Sequence, residues 1–464
     1  MKIKYCITSL LLASAISGFT KEYKISSAAE LAALRLVAGD EVIVKDGSWV
    51  NQQMVLKGKG TAEKPIKLKA EHGGAVFLTG TSSLKIDGSW LLVDGISFKE
   101  GATKGEDVIL FAENADHCRL TNSSVVGYNP LDKALEYTYV SLYGDHNRID
   151  HCYFEGKTNL APTLVVWLSD KPNYHEIDHN YFGTRPDVNG NGGESIRIGT
   201  STWSMFDSFT RVDANIFAHC NGETEIVSVK SCRNIISNNL FFESQGTLTL
   251  RHGNYNVVYG NIFIGNKVQN TGGIRVIGEH HRVYNNYLQG LTGTGLRAAI
   301  SVMDGLPNPI LVSHWQVKHA DIIANTIVDC KEAFSLGAGK NTERILPPQK
   351  VLIANNLVKV EKNNPVSWVD QAADVAFAGN MLDAKSAPEP LEKGFVLVDA
   401  KMKRHEGFWV AQPDSPLIGA FKGSYSYLKN NDVGANIKFD VAALLKVKYV
   451  GPNWYKTYPA MEIK

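Results

Sequence analysis

Apolar positions come in short pulses separated by polar turns, and one phrase recurs along the chain. It reads IDHCYF at 149–154, IDHNYF at 177–182, VDANIF at 212–217, ISNNLF at 236–241 and VYGNIF at 258–263. It continues as VYNNYL at 283–288, IIANTIV at 322–328, IANNLV at 353–358 and FAGNML at 377–382. With the residue before the apolar pair as marker (Cys152, Asn180, Asn215, Asn239, Asn261, Asn286, Thr326, Asn356, Asn380), the intervals are 28, 35, 24, 22, 25, 40, 30 and 24. The base period is therefore 22 to 25 residues, lengthened by insertions. β-Branched and aromatic runs broken by Asn and Gly predict two or three short strands per repeat, not helices. A unit this small cannot bury its own apolar face, whereas stacked units share one core and pair their backbones rung to rung. The LxxLxL spacing of leucine-rich repeats is missing. The prediction is an all-β, single-domain, right-handed parallel β-helix. The marker asparagines are placed at turns, where Asn tolerates left-handed geometry, and are expected to bond one another in a ladder before an inward-facing apolar pair.

The ends break the pattern. Ser27 and Glu30 have capping-box spacing within SSAAELAALRL at 26–36, which predicts a helix covering the open N-terminal end. EVIVKDGSW, IKLKAEHGG and WLLVDGISF follow as the first coils. Beyond residue 385 the Pro-containing segments lose the repeat. The expected organisation is a signal peptide at 1–20, the β-helix with its cap at 21–385, and a wrapping or capping segment of the same domain at 386–464. Lys2 and Lys4 ahead of the apolar run at Leu10, Leu11 and Leu12, then Ala13, Ser14 and Ala15, carry the signal reading and imply a secreted or periplasmic protein.

Forty-eight basic residues balance forty-seven acidic ones. No global field attracts nucleic acid or an anionic membrane, so an anionic ligand needs a local cluster. No later apolar run reaches the ~20 residues of a membrane span. Cys6 falls in the signal; Cys118, Cys152, Cys220, Cys232 and Cys330 lack zinc-site spacing and read as small core residues.

Candidate chemistry concentrates between 189 and 281, in NGNGGESIRIG, NGETEIVSVKS, GTLTLRHG and GGIRVIG. Alternation along a strand puts Glu223 and Glu225 on one face, where two carboxylates call for a cation; Ca²⁺ suits their oxygens together with Asn191 from the preceding coil. Lys230, Arg251 and Arg275 stand 21 and 24 residues apart, about one coil each, and are expected to stack in one groove. Lys230 has the opposite parity to Glu225, so a turn or bulge must intervene if both face that groove. A cationic groove with a metal suits an acidic polysaccharide and favours β-elimination from a uronic acid, because it stabilises the charge that develops when the proton beside the carboxylate is removed. Lys230 fits the base, its pKa lowered by neighbouring cations. The leaving oxygen takes a proton from Arg251, or from His252, Tyr255 or water, with Arg251 then acting as an electrostatic clamp.

These segments resemble the core of polysaccharide lyase family 6, β-helix enzymes that include alginate lyases and the dermatan-cleaving chondroitinase B. The resemblance spans the mature chain in outline and is most specific from 189 to 275. It implies calcium ligands at Asn191, Glu223 and Glu225, a Brønsted base at Lys230, a Brønsted acid at Arg251, and a substrate-binding Arg275. Glu194, in GGES, likewise resembles the alginate-cleaving members, and alginate is the implied substrate. The alternatives are a dermatan sulfate lyase or a non-catalytic polysaccharide-binding solenoid. A glycoside hydrolase could recruit Glu223 and Glu225 but leaves the Lys and Arg residues unexplained. DVNGNGGE at 187–194 begins like an EF-hand loop, but Ile198 stands where its last ligand belongs. Asp116/His117 and His280/His281 could suggest metal or acid–base roles but read first as surface or turn structure.

Overall fold

A computed structural model describes residues 20–361, 364–436 and 449–464. Nearly all of the predicted signal peptide, Cys6 included, lies outside the described residues. Three long parallel sheets run the length of the molecule as a right-handed β-helix. The first has fourteen strands, from Glu22–Ile25 to Val375–Ala378. The second has twelve, from Gln53–Lys59 to Val366–Trp368, and the third fourteen, from Gly47–Val50 to Phe395–Leu397. Most strands are only three residues long, because each coil must turn three times within its period. The cap is shorter than predicted: one helix, Ala28–Ala33, with the Ser27 side chain accepting from the Glu30 amide and Leu31 buried. Glu30 reaches back to the Ser26 amide, at 2.8 Å, one residue before the cap.

Alternation corrects the reading of the apolar pair, since adjacent strand residues face opposite ways. The second member points inward, and Phe154, Phe182, Phe217, Phe241 and Phe263 form a column with ring centroids 5.3, 4.9, 4.8 and 4.4 Å apart. The first member (Tyr153, Tyr181, Ile216, Leu240, Ile262, Tyr287) points outward from the third sheet, yet is buried in a second apolar cluster. Its cover is the C-terminal segment: Phe408 of the hairpin Met402–His405/Phe408–Ala411, with Val450, Tyr455, Tyr458 and Met461. Residues 449–464 run back along the solenoid, Tyr455 stacking on Tyr153 at 4.1 Å and the Trp454 indole donating to the Asn122 carbonyl at 2.7 Å.

The asparagine ladder exists. Each Nδ2 of Asn180, Asn215, Asn239, Asn261, Asn286, Asn325 and Asn356 donates to Oδ1 of the next rung, ending at Asn380, at 2.9–3.0 Å. Two details differ from the sequence reading. Asn325, not Thr326, fills the sixth rung of this ladder. The left-handed residue is the one before the ladder, as at Ala214, Asn238, Asn285, Ala324 and Asn355, with φ of 53–56°. The ladder side chain bonds the next rung because its neighbour makes the turn. The five cysteines outside the signal are buried and free.

Candidate active site

The candidate residues gather where the second sheet meets the turn before it. Gly193 and Gly222 set the local approach: a Cβ on Gly193 would sit 2.2 Å from the Gly222 carbonyl oxygen, and one on Gly222 2.1 Å from that of Gly193. Only glycine permits the contact, which draws GGES against NGETE. Arg185, 2% exposed, ties the first loop down by donating to the carbonyls of Glu194 at 2.6 Å, Ala161 at 2.8 Å and Gly192 at 3.1 Å.

Carboxylate oxygens of Glu194, Glu223 and Glu225 consequently lie within 4.8 Å of one another. Burial, then Glu194, then Glu225 push the Glu223 carboxyl up to about 8. One oxygen each of Glu194 and Glu223 is buried with no hydrogen-bond partner. Such orphaned acceptors fit a bound cation, and this cluster can hold a metal ion. Asn191 and Glu223 line one cleft of about 400 Å³ with Thr224 and Arg297.

The bulge demanded by parity is present. Against Thr247–His252, Glu225 pairs with Thr247 but Val227 with Leu248, leaving Ile226 as the extra residue. Ile226 and Val227 are both buried, which resets the alternation so that Glu225, Ser228 and Lys230 share the groove side. The Ser228 hydroxyl donates to Glu225.

The expected vertical stack of three cations is not what forms. A second irregularity pairs Lys230 with His252 and skips Arg251, and Arg275 pairs with Thr249. The cations converge through acids instead: Lys230 Nζ lies 3.6 Å from Glu194, Arg251 Nε 3.9 Å from Glu225, and Arg275 is ion-paired with Glu225. Glu194, 1% exposed, therefore belongs to the carboxylate cluster and faces Lys230; the charged partner of Lys230 is an acid, not the crowding cations expected from sequence.

Arg251 Nη1 lies 3.4 Å from both His252 Nδ1 and the Ser313 carbonyl, and Nη2 3.4 Å from that of Val312. Burial lowers its pKa from the ordinary arginine value, with Arg275 also lowering it. His252 is 2% exposed, and burial, then Arg251, lower its pKa to about 3, so it is neutral near pH 7. Arg251 donating to Nδ1 leaves Nε2 to donate to Ser201 Oγ at 3.2 Å. Tyr255 is not brought to this cluster. It sits in an outer turn at φ 60°, its ring covered by Arg233 at 4.6 Å and by His280 at 4.6 Å.

Arg297, His314 and Arg185 were missed from sequence. Arg297 donates to Thr224 Oγ1 at 2.9 Å; it follows Arg275 by 22 residues, a spacing that could have found it had it not lain in a short 3-10 turn. His314, whose pKa is lowered to about 3 by burial and then by Arg251, arrives from an insertion with no repeat to place it. Nine of the sixteen buried side-chain atoms without partners among the described residues lie in, or within three residues of, strands of this second sheet. A face so rich in unmet polar groups is built for a polar ligand.

An all-parallel solenoid with a carboxylate cluster ringed by lysine and arginine defines a class, and comparison with known proteins gives the family. The family model described as Chondroitinase B matches residues 25–423. Among solved structures, the alginate lyase AlyGC of polysaccharide lyase family 6 is 37% identical, with 94% of this chain and 59% of that one covered at a TM-score of 0.83. A mannuronic acid specific family 6 lyase from human gut microbiota is 32% identical, with coverage of 94% and 97% and a TM-score of 0.79. Pedsa3628 from Pseudopedobacter saltans, of the same family, is 27% identical, with coverage of 94% and 100% and a TM-score of 0.75. A comparison with curated sequences finds no match. The chain belongs to polysaccharide lyase family 6. It spans 59% of the length of AlyGC.

Proposed function

We propose that this chain is an alginate lyase that cleaves by β-elimination and leaves 4,5-unsaturated uronate ends. The observation that carries the reading is the convergence of Lys230, Arg251 and Arg275 on the carboxylates of Glu194 and Glu225 in one groove. Asn191, Glu223 and Glu225, with Glu194 beside them, would hold Ca²⁺, which when bound supplies positive charge opposite the sugar carboxylate. Arg275 shares Glu225 with that site and binds the same carboxylate, adding to the neutralisation that makes the adjacent proton removable. Lys230, in its neutral form, takes that proton with its Nζ. Arg251, held by the 312–313 carbonyls and His252, protonates the departing oxygen; its lowered pKa suits a donor. His252, kept neutral, orients Arg251 by accepting at Nδ1 and donates to a substrate hydroxyl from Nε2. A signal peptide at 1–20 would deliver the enzyme to the periplasm or outside the cell, where such polymers are met.

A dermatan sulfate lyase is the second reading, favoured by the match to the Chondroitinase B model. Incubation with mannuronate blocks, guluronate blocks and dermatan sulfate, followed by ultraviolet absorbance of the unsaturated uronate, separates them. Absorbance growing only with dermatan sulfate would overturn the alginate assignment; none with any polymer would leave a binding solenoid.

A further inference from the structure

Away from the groove, the dipeptide Asp-His occurs four times, at 116–117, 145–146, 150–151 and 178–179. The coils stack these into two pairs, Asp116 on Asp145 and Asp150 on Asp178. In each dipeptide the imidazole Nδ1 meets its own aspartate, at 2.6, 3.1, 2.8 and 2.8 Å in chain order. The rings stack as well, His117 on His146 at 4.7 Å and His151 on His179 at 5.1 Å.

The two pairs differ in how their negative charge is met. Arg119 Nε donates to Asp150 at 2.7 Å and Arg148 Nε to Asp178 at 2.8 Å, so an arginine neutralises each carboxylate. Among the described residues no lysine or arginine is ion-paired with Asp116 or Asp145; their ion-pair partners are His117 and His146. One donor atom from each of these four residues lies within 4.8 Å of the others. The rings are also pre-positioned, because Trp90 stacks on His117 at 4.3 Å and Tyr174 on His146 at 5.0 Å.

We propose that Asp116, His117, Asp145 and His146 bind a divalent transition-metal ion of the zinc class, at a site separate from the carboxylate groove. Two imidazole nitrogens with two carboxylate oxygens suit Zn²⁺, Co²⁺, Ni²⁺ or Cu²⁺, whereas Ca²⁺ and Mg²⁺ prefer oxygen alone. Donors within 4.8 Å of one another reach a common ion at ~2.0–2.2 Å when each moves by less than about 1 Å. The ion supplies the positive charge that Arg119 and Arg148 supply to the other pair. By joining residues one coil apart, it also favours the folded chain over the unfolded one.

The test is a zinc chloride titration of the full chain by calorimetry, with melting temperature as a second readout. It compares the parent protein with H117Q/H146Q, D116N/D145N and H151Q/H179Q. Any zinc held by the groove is common to all four, so the difference isolates this site. The expected result is a binding event and a rise in melting temperature in the parent and in H151Q/H179Q, with affinity at least tenfold weaker in the other two. D116N/D145N keeps the ring stack and loses the repulsion, so it should be no less stable than the parent without zinc, which separates lost binding from lost folding. Undiminished binding in both H117Q/H146Q and D116N/D145N, or none in the parent, would overturn the proposal.

Discussion

The outward faces of the second and third sheets start from the same geometry and end as opposites. Both are columns of in-register parallel strands over one shared core. The third sheet turns Tyr153, Tyr181, Ile216, Leu240 and Ile262 outward, and the chain covers them with its own C-terminal segment. The second turns Arg197, Ser228, Thr249, Arg275, Ser301 and Ser335 the same way, each opposite the next across the ladder. No apolar lid can satisfy that column, and it keeps unpaired polar atoms. One backbone thus makes a sealed flank or a working groove according to every second side chain.

The largest way to break the groove is Lys230→Ala. Turnover should fall by roughly 10²–10⁴-fold with an unchanged melting temperature, measured as the initial rate of unsaturated uronate formation; substantial residual activity would assign the base elsewhere. Glu223→Gln sharpens the contrast, because it relieves a buried carboxylate cluster. It should stabilise the cation-free protein while abolishing both activity and the thermal shift on adding Ca²⁺; a less stable variant would mean the cluster is not repulsive. On the sealed flank, Tyr455→Ala should cost about 2–4 kcal/mol in denaturant unfolding and leave the rate per folded molecule untouched. Arg275→Ala should raise KM more than it lowers kcat, and unchanged kinetics would remove it from the substrate site.

The smallest effect is a pH slope that belongs to neither flank. Burial lowers the pKa of His175 to about 3 and that of His281 to about 4, against 6.5 for a free imidazole. A depressed folded pKa means the unfolded chain binds the proton first, so stability is full above pH 6.5 and declines as pH falls toward the folded values. Each histidine adds up to about 1.4 kcal/mol per pH unit in that window. His281→Gln should flatten the slope of unfolding free energy between pH 6 and about pH 5, at some cost in stability at neutral pH.

The coil, its period and the asparagine ladder were legible because stacking repeats one local requirement many times, and repetition survives insertions. The bulge was legible too, since Glu225 and Lys230 cannot share a face without one. Which residue is skipped was not: Arg251 falls out of register because of how two neighbouring strands slip, and one strand's pattern does not record its partner's. The place of Glu194 beside Glu223 and Glu225 was not legible, because the Gly193–Gly222 approach that sets it is a contact between coils. The outward apolar column resembled core, since its cover comes from a segment without repeats. Arg297 has coil spacing but lies in a short 3-10 turn, and His314 enters from an insertion, whose geometry no periodicity fixes.

That returning segment also bears on how the molecule comes apart. A solenoid joined only turn to adjacent turn would fray from either end independently. Here Gly451 donates to the His179 carbonyl at 2.8 Å, and Trp454 reaches the coil of Asn122, across more than three hundred positions of sequence. Residues 449–464 are fastened to these earlier coils, so unwinding there must first tear off that strap, and a nascent chain gains the fastening only when residues 449–464 emerge.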